Sequence, residues 1–176
     1  MMQLPDPEIL LADITAKIAA QLHVQADAEH ALIGIHSGGV WLMQRILDTL
    51  KLEIPYGTLD AALYRDDYAK RGLKAEPKPS NISFNVQDKH IILIDDIFYT
   101  GRTTRAAMNE LFDYGRPASI TLAVLINRGG AELPILPNIA GADIALKPSQ
   151  NLQLSQDTKG KLHLSLENEF DSDTQH

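Results

Sequence analysis

The chain has no cysteine and a single tryptophan in 176 residues. Without thiols it can form no disulfide, bind no metal through thiolates and use no cysteine nucleophile. Basic residues are also short: 16 lysines and arginines against 23 aspartates and glutamates, a net charge of −7. Nucleic-acid binding usually leaves a basic footprint, so this balance argues against a general affinity for RNA, though it does not exclude a local patch. The acidic run Glu167–Asp173 enlarges the figure and reads as a solvated, frayed end. No apolar run approaches the about 18 residues that a membrane span needs. The N-terminal Met-Met-Gln-Leu-Pro-Asp-Pro-Glu lacks the basic-then-apolar order of a signal peptide. A cytoplasmic protein is the expectation. Hydrophobic residues at 44% and charged residues at 22% are ordinary for a globular chain. The length suits one domain, taken as residues 1–168 with a polar tail over 169–176.

Asp6 followed by Pro7 is a helix start. Ile9, Ile14, Ile18 and Leu22 mark one face of a helix over roughly Pro7–Leu22. Ala31–Ile35 reads as a short apolar strand, His36-Ser37-Gly38-Gly39 as a turn, and Val40–Leu50 as a helix. Gly57–Tyr64 reads as the next strand. Arg65–Ser80 holds seven Lys, Arg or Asp residues, two prolines and no lasting periodicity. A loop that long is more often functional or disordered than merely connecting, and a mobile loop is expected over 65–80.

Ile91–Ile94 is apolar without alternation, as in a strand of a parallel sheet buried on both faces. A helix over roughly Thr104–Tyr114 has Met108, Leu111 and Phe112 on its apolar face and stops at Gly115. Ser119–Ile126 is another buried strand, and Leu133–Gly141, with two prolines, an irregular cover. Leu152 and Leu154, then Leu162, Leu164 and Leu166, alternate with polar residues around Thr158-Lys159-Gly160, which predicts an antiparallel hairpin. The whole predicts an α/β fold: a mainly parallel sheet with helices on both faces, plus a small C-terminal hairpin. Ligands of such sheets bind beyond the carboxyl ends of the strands. The turns at His36, Asp95 and Arg128 all follow predicted strands.

The densest chemistry lies in Ile91–Thr103, I-I-L-I-D-D-I-F-Y-T-G-R-T. Thr100, Gly101, Arg102 and Thr103 form a loop at a helix start, where free N–H groups and the helix dipole favour an anion. Gly101 lets the backbone approach closely, and the threonine hydroxyls add donors. Asp95 and Asp96 beside such a cradle suggest a sugar phosphate, with the acids on vicinal hydroxyls or a cation. Adjacent acids alone could be a strand end meeting water, and Thr103 could serve as an ordinary helix cap. Arg102 faces either anion or solvent. His36–Gly39 is a second candidate anion loop. The spacing Gly34-x-x-x-Gly38-Gly39 is a weak dinucleotide-like signal, with no acid ending a neighbouring strand at the expected distance.

The Ile91–Thr103 stretch resembles the phosphoribosyl-pyrophosphate (PRPP) motif of type I phosphoribosyltransferases. L-Y-R-D-D at Leu63–Asp67, Y-T-G-R-T-T-R-A-A-M at Tyr99–Met108, G-R-P at Gly115–Pro117 and R-G-G-A-E-L-P-I at Arg128–Ile135 follow in order. Order and spacing are similar to the PyrR family, uracil phosphoribosyltransferases of which some also regulate pyrimidine operons by binding RNA. The resemblance covers roughly Leu4 to Ile144.

It implies the type I fold and magnesium-dependent transfer of phosphoribosyl from PRPP to uracil, giving UMP and pyrophosphate. Asp95 and Asp96 would hold the ribose hydroxyls, directly or around Mg2+. Tyr99, Thr100, Gly101, Arg102 and Thr103 would hold the 5′-phosphate, and His36, Ser37, Gly38 and Gly39 the pyrophosphate. Arg65, ahead of Lys70, Arg71 and Lys74, is the favoured catalytic residue of a closing lid. Asn127, Arg128 and Gly129 would line the base pocket, unless Arg128 forms a structural ion pair with Glu132. Implied partners are PRPP, uracil, UMP or UTP, a leader RNA, and further copies of the chain in a homodimer or larger homo-oligomer.

Two segments depart from the family pattern: Ser37-Gly38-Gly39 replaces a basic Thr-Arg-Gly, and Asn127-Arg128-Gly129 replaces Asp-Arg-Gly. Trp41 reads as core or subunit interface rather than a base platform. Three other readings stand beside the enzyme: an RNA-binding attenuator with little catalysis, a transferase for a purine or orotate, and a receiver or phosphatase domain with a phosphorylated Asp95. The last leaves the Thr-Gly-Arg-Thr loop unexplained. The first helix, with Lys17 among Ala16, Ala19 and Ala20, offers no basic stripe for RNA.

Overall fold

Asp6 starts the first helix as its sequence suggests: its carboxylate accepts the Glu8 N–H at 2.9 Å, and Pro7 occupies the first turn. In this computed structural model, which describes residues 3–61 and 79–168, helix α1 (Pro7–Val24) leads into strand β1 (His30–Ile35), helix α2 (Gly38–Leu50) and strand β2 (Tyr56–Leu59). Strand β3 (His90–Phe98), helix α3 (Arg102–Asp113), β4 (Ser119–Asn127) and β5 (Ile139–Asp143) follow, then β6 (Gln150–Gln156) and β7 (Leu162–Asn168). Arg65, Lys70, Arg71, Lys74, most of the expected mobile loop and the tail 169–176 lie outside the described residues.

The first five strands form one parallel sheet in the order β2-β1-β3-β4-β5, and β6 and β7 pair antiparallel. Alternation along β3 sorts the core into two layers. Ile92 and Ile94 face Ile14 and Ile18 of α1, Leu42 and Ile46 of α2, and Leu152, Leu154 and Leu162 of the hairpin. Ile91 and Leu93 face the other way, toward Ala107 and Leu111 of α3 and Val86. Each such apolar side chain, once buried, contributes about 1.5–3 kcal/mol.

The hairpin is fastened to the body at its turn. Arg45 of α2 donates to Glu8 Oε2 at 2.7 Å and to the Gly160 carbonyl at 3.1 Å, while Glu8 Oε1 accepts the Leu162 N–H at 3.0 Å.

Four boundaries differ from expectation. β3 does not stop at Ile94 but runs to Phe98, because β4 continues beside it and pairs Asp95 with Val124 and Ile97 with Ile126. Asp95 and Asp96 are therefore strand residues. α3 begins at Arg102, two residues earlier than expected, with Gly101 rather than Thr103 at the cap position. The segment read as irregular cover, Leu133–Gly141, runs into β5, the edge strand on β4. β2 is shorter than Gly57–Tyr64, ending at Leu59, and residues 62–64 of that expectation lie outside the described residues. No described helix is long and apolar enough to cross a membrane.

Candidate active site

The strand order creates the site. The chain leaves β1 toward β2 on one side and returns through β3 toward β4 on the other. The turns after β1 and β3 therefore diverge and open a crevice at the carboxyl edge, the usual ligand position in such sheets. α2 reaches the crevice because glycines remove side chains from its first turn and from β1 beside it. A Cβ on Gly39 would stand 2.2 Å from the Ile94 carbonyl oxygen, and one on Gly34 2.8 Å from Val40 Cα. These glycines serve close packing of helix on strand. The His36–Ser37 peptide just before the helix is cis.

Asp95 and Asp96 are both buried, at 2% and 5% exposure, just beyond the last pairing of β3 with β1 at Ile94 and Gly34. Asp95 Oδ1 accepts the Asp96 N–H at 2.9 Å, and Asp96 Oδ1 accepts the Ile97 N–H at 3.0 Å. Each carboxylate is thus fixed through one oxygen by the backbone.

The loop between β3 and α3 is propped from behind. Gly101 has φ +91°, a conformation that favours glycine. Thr100 Oγ1 accepts the Arg102 N–H at 3.3 Å, and the Thr100 carbonyl accepts the Glu132 N–H at 2.9 Å. Arg102 turns to Glu132, donating through Nε at 3.0 Å and Nη2 at 2.7 Å. The alternative reading of Arg128 as an ion pair with Glu132 is set aside here, since Arg102 holds that carboxylate. The start of α3 still offers first-turn amides and the positive end of its dipole to an anion.

Crevice, loop and hairpin enclose a cleft of about 230 Å³. Of the residues read from the sequence, it is lined by Ser37, Gly38, Asp95, Asp96, Tyr99, Thr100, Gly101, Thr103 and Arg128. His36, Gly39, Arg102, Asn127 and Gly129 are not among the lining residues. Asn127 instead donates to Asp143 Oδ1 at 2.8 Å and accepts the Gly129 N–H at 3.1 Å, so its side chain shapes the turn after β4 and ties it to β5. Two walls were not read from the sequence. Residues Asn151, Leu152, Gln153 and Leu154 of β6 close one side, and Trp41, expected in core or interface, lines the cleft while packing on the core. Alternating leucines announced the hairpin, but nothing local says where it docks.

No group of three or more His, Cys, Asp or Glu among the described residues could cage a metal. Two cleft carboxylates nevertheless suit magnesium, which is commonly held by one or two carboxylates together with substrate phosphates and water.

A family model described as a phosphoribosyl transferase domain matches residues 7–142. A hypoxanthine-guanine phosphoribosyltransferase from Bacillus anthracis superposes with a TM-score of 0.64 at 16% identity, covering 85% of this chain and 86% of that one. A purine phosphoribosyltransferase from Pyrococcus horikoshii gives 0.56 at 20% identity, covering 77% and 83%. At such identities the likeness is one of fold. Parallel sheet, hairpin and matched domain together define a phosphoribosyltransferase of the type I fold.

Sequence narrows the class. Bifunctional protein PyrR of Pseudomonas fluorescens is 46% identical over 154 residues, 88% of this chain and 92% of that protein. Bifunctional protein PyrR of Nitrosococcus oceani is 43% identical over 161 residues, 88% and 91% of the two chains. The chain belongs to the PyrR family.

Proposed function

We propose that the chain transfers phosphoribosyl from PRPP to uracil, releasing pyrophosphate and forming UMP. The observation that carries this is the buried Asp95–Asp96 pair facing a helix-start anion loop across one cleft. The amides and hydroxyls of Thr100, Gly101 and Thr103 take the 5′-phosphate at the start of α3. Asp95 and Asp96 accept from the ribose hydroxyls, and the Ser37–Gly38 turn takes the pyrophosphate. Uracil lies under β6, whose residues Asn151–Leu154 close that side of the cleft.

Breaking the bond from C1 to the pyrophosphate oxygen leaves positive charge on the ribose ring. Two fixed carboxylates beneath that ring favour this state electrostatically, and they need not reorganise because the backbone already orients them. The base nitrogen then attacks C1, and its proton leaves to solvent. Type I phosphoribosyltransferases generally use Mg2+ with PRPP; with Asp95 or Asp96 as its protein contacts, it would balance the leaving pyrophosphate. Closure over the cleft would keep water from the ribose cation; the part given to Arg65 there rests on the sequence resemblance alone. PRPP, uracil and UMP or UTP are then the small-molecule partners, in a cytoplasmic homodimer or larger homo-oligomer. The direct experiment separates products from purified protein, PRPP, Mg2+ and labelled uracil: UMP should form only when all are present.

A regulatory role through RNA is the second reading, favoured by the word bifunctional in the relatives' names. α1 adds little to an RNA surface, since Lys17 pairs with Asp13 at 2.6 Å and donates to the Ala140 carbonyl at 2.9 Å. A gel shift with the leader RNA of its own pyrimidine operon, with and without UMP, tests this reading. Specific complexes should weaken steeply with salt as phosphate counterions are released.

A further inference from the structure

We infer that Arg128 is a positioning residue, locking the β6 wall of the cleft to the phosphate loop through Tyr99. The inference rests on the transferase reading for which wall takes the base and which the phosphate. Arg128 is only 8% exposed, and among the described residues no carboxylate pairs with it, because Glu132 is taken by Arg102. A guanidinium in that setting is costly unless its protons and face are used. They are used for geometry. Nη2 donates to the Gln150 carbonyl at 2.7 Å, at the first residue of β6, and lies 3.4 Å from the Lys147 carbonyl. The guanidinium carbon sits 3.8 Å from the centroid of the Tyr99 ring. Nε is buried without an acceptor, beside a guanidinium placed over the ring.

The turn that carries Arg128 is shaped around the same ring. Gly130 has φ +82°, and a Cβ there would stand 2.8 Å from Tyr99 Cε2. The Arg128 N–H donates to the Phe98 carbonyl at 2.8 Å, so the turn follows the end of β3. One side chain therefore touches the residue just before Thr100 and the residue just before the Asn151–Leu154 wall. Lysine would supply the charge but neither the flat face nor the rigid fork. The phosphate loop keeps its own props, the Glu132 amide on Thr100 and the Arg102–Glu132 pair, when Arg128 is changed. Loss of Arg128 therefore frees the base wall and spares the phosphate cradle.

The test compares wild type, Arg128→Lys, Tyr99→Leu and the double variant, with Arg45→Ala as a control that loosens the hairpin only at its far turn. Steady-state kinetics give KM for uracil and for PRPP, and calorimetry gives affinities for UMP and ribose 5-phosphate. Arg128→Lys should raise KM for uracil and weaken UMP about tenfold, with ribose 5-phosphate within about twofold of wild type. Tyr99→Leu should weaken UMP to a similar extent, and the double variant should cost no more than the worse single, since both remove one coupled contact. Arg45→Ala should lower Tm and leave the ratio of UMP to ribose 5-phosphate affinity unchanged. Additive losses would mean that Arg128 acts on the ligand independently of Tyr99, and equal losses for the two ligands would mean general loosening; either overturns the inference, as does an unchanged Arg128→Lys. Should Tyr99→Leu not fold, the Arg128→Lys ratio decides alone. Nucleotide binding needs no turnover: a wild type that fails to convert uracil refutes that substrate, while the same ratio, read with GMP alongside, still decides the role of Arg128.

Discussion

Gly38 and Asp96 fit too closely for any larger residue at position 38. A Cβ there would stand 2.4 Å from Asp96 Oδ2, 2.6 Å from Cγ and 2.7 Å from Cβ. The first turn of α2 and the tip of β3 thereby set the direction of one carboxylate. Gly38→Ala should push that carboxylate aside and lower kcat/KM by at least about tenfold, since misplacement on the ångström scale is enough for such losses. Kinetics with uracil and PRPP, beside a thermal melt that shows the variant folded, check this. Full activity would mean that Asp96 is not held against Gly38 during turnover.

Asp95→Asn and Asp96→Asn should each lower kcat/KM by about 100-fold or more through lost transition-state electrostatics. Stability should change by only about 1 kcal/mol or less. Asparagine keeps the Oδ1 acceptor that each aspartate offers to a neighbouring amide, while removing the charge and turning the second oxygen into an NH2 donor. Kinetics and denaturant melts on the same preparations separate the two effects.

Gly101→Val should abolish binding of UMP and PRPP in calorimetry. The neighbours are not the obstacle: a Cβ would meet Phe98, Leu133 and Ile135 at ordinary contact distances of 3.5–3.7 Å. The obstacle is φ +91°, which a β-branched residue strongly disfavours. The loop must rotate, and its amides turn away from the phosphate. Binding as tight as wild type would remove the cradle at the start of α3.

Strong local patterns made most of the fold legible. The apolar runs at 91–94 and 119–126, the Asp6-Pro7 cap and the alternating leucines of the hairpin each carried their element to within a few residues. β5 was hidden because Ile139–Asp143 is mostly Ala and Gly after two prolines, with no alternation to read. The end of β3 was hidden because adjacent acids look like a strand meeting water; only the neighbouring β4 keeps them in the sheet. Within the site, the loop chemistry showed in sequence because it is contiguous. The β6 wall, the place of Trp41 and the exchange of partners between Arg102 and Arg128 did not, because each depends on a contact between segments far apart in the chain.

The hairpin turn should make stability sensitive to acid. Arg45 hydrogen-bonds Glu8 and holds its carboxyl below the usual 4.5; the Leu162 amide and the charges of Arg45 and Lys161 act in the same direction, against the opposing effect of burial. Because the folded value is depressed, the unfolded chain takes up the proton first. The stabilisation is complete above 4.5 and is lost as pH falls below it through the folded value. The pair is part-exposed, at 28% for Glu8 and 39% for Arg45, so screening keeps it to about 1 kcal/mol or less. Arg45→Ala should lower Tm at neutral pH, and the gap to wild type should narrow as pH drops below 4.5. A gap that stays constant with pH would show that Glu8 charge is not what Arg45 stabilises.

Base selection tests the central claim most directly. Specificity constants should be measured for uracil, hypoxanthine, guanine and orotate, each with saturating PRPP and Mg2+ on one preparation. On the proposed reading uracil should exceed every other base by at least about 100-fold, because a site that hydrogen-bonds a base's carbonyls and N–H groups leaves polar groups unpaired with a wrong base. Turnover of a purine or of orotate at a rate equal to that of uracil, or no conversion of uracil at all, would contradict the account.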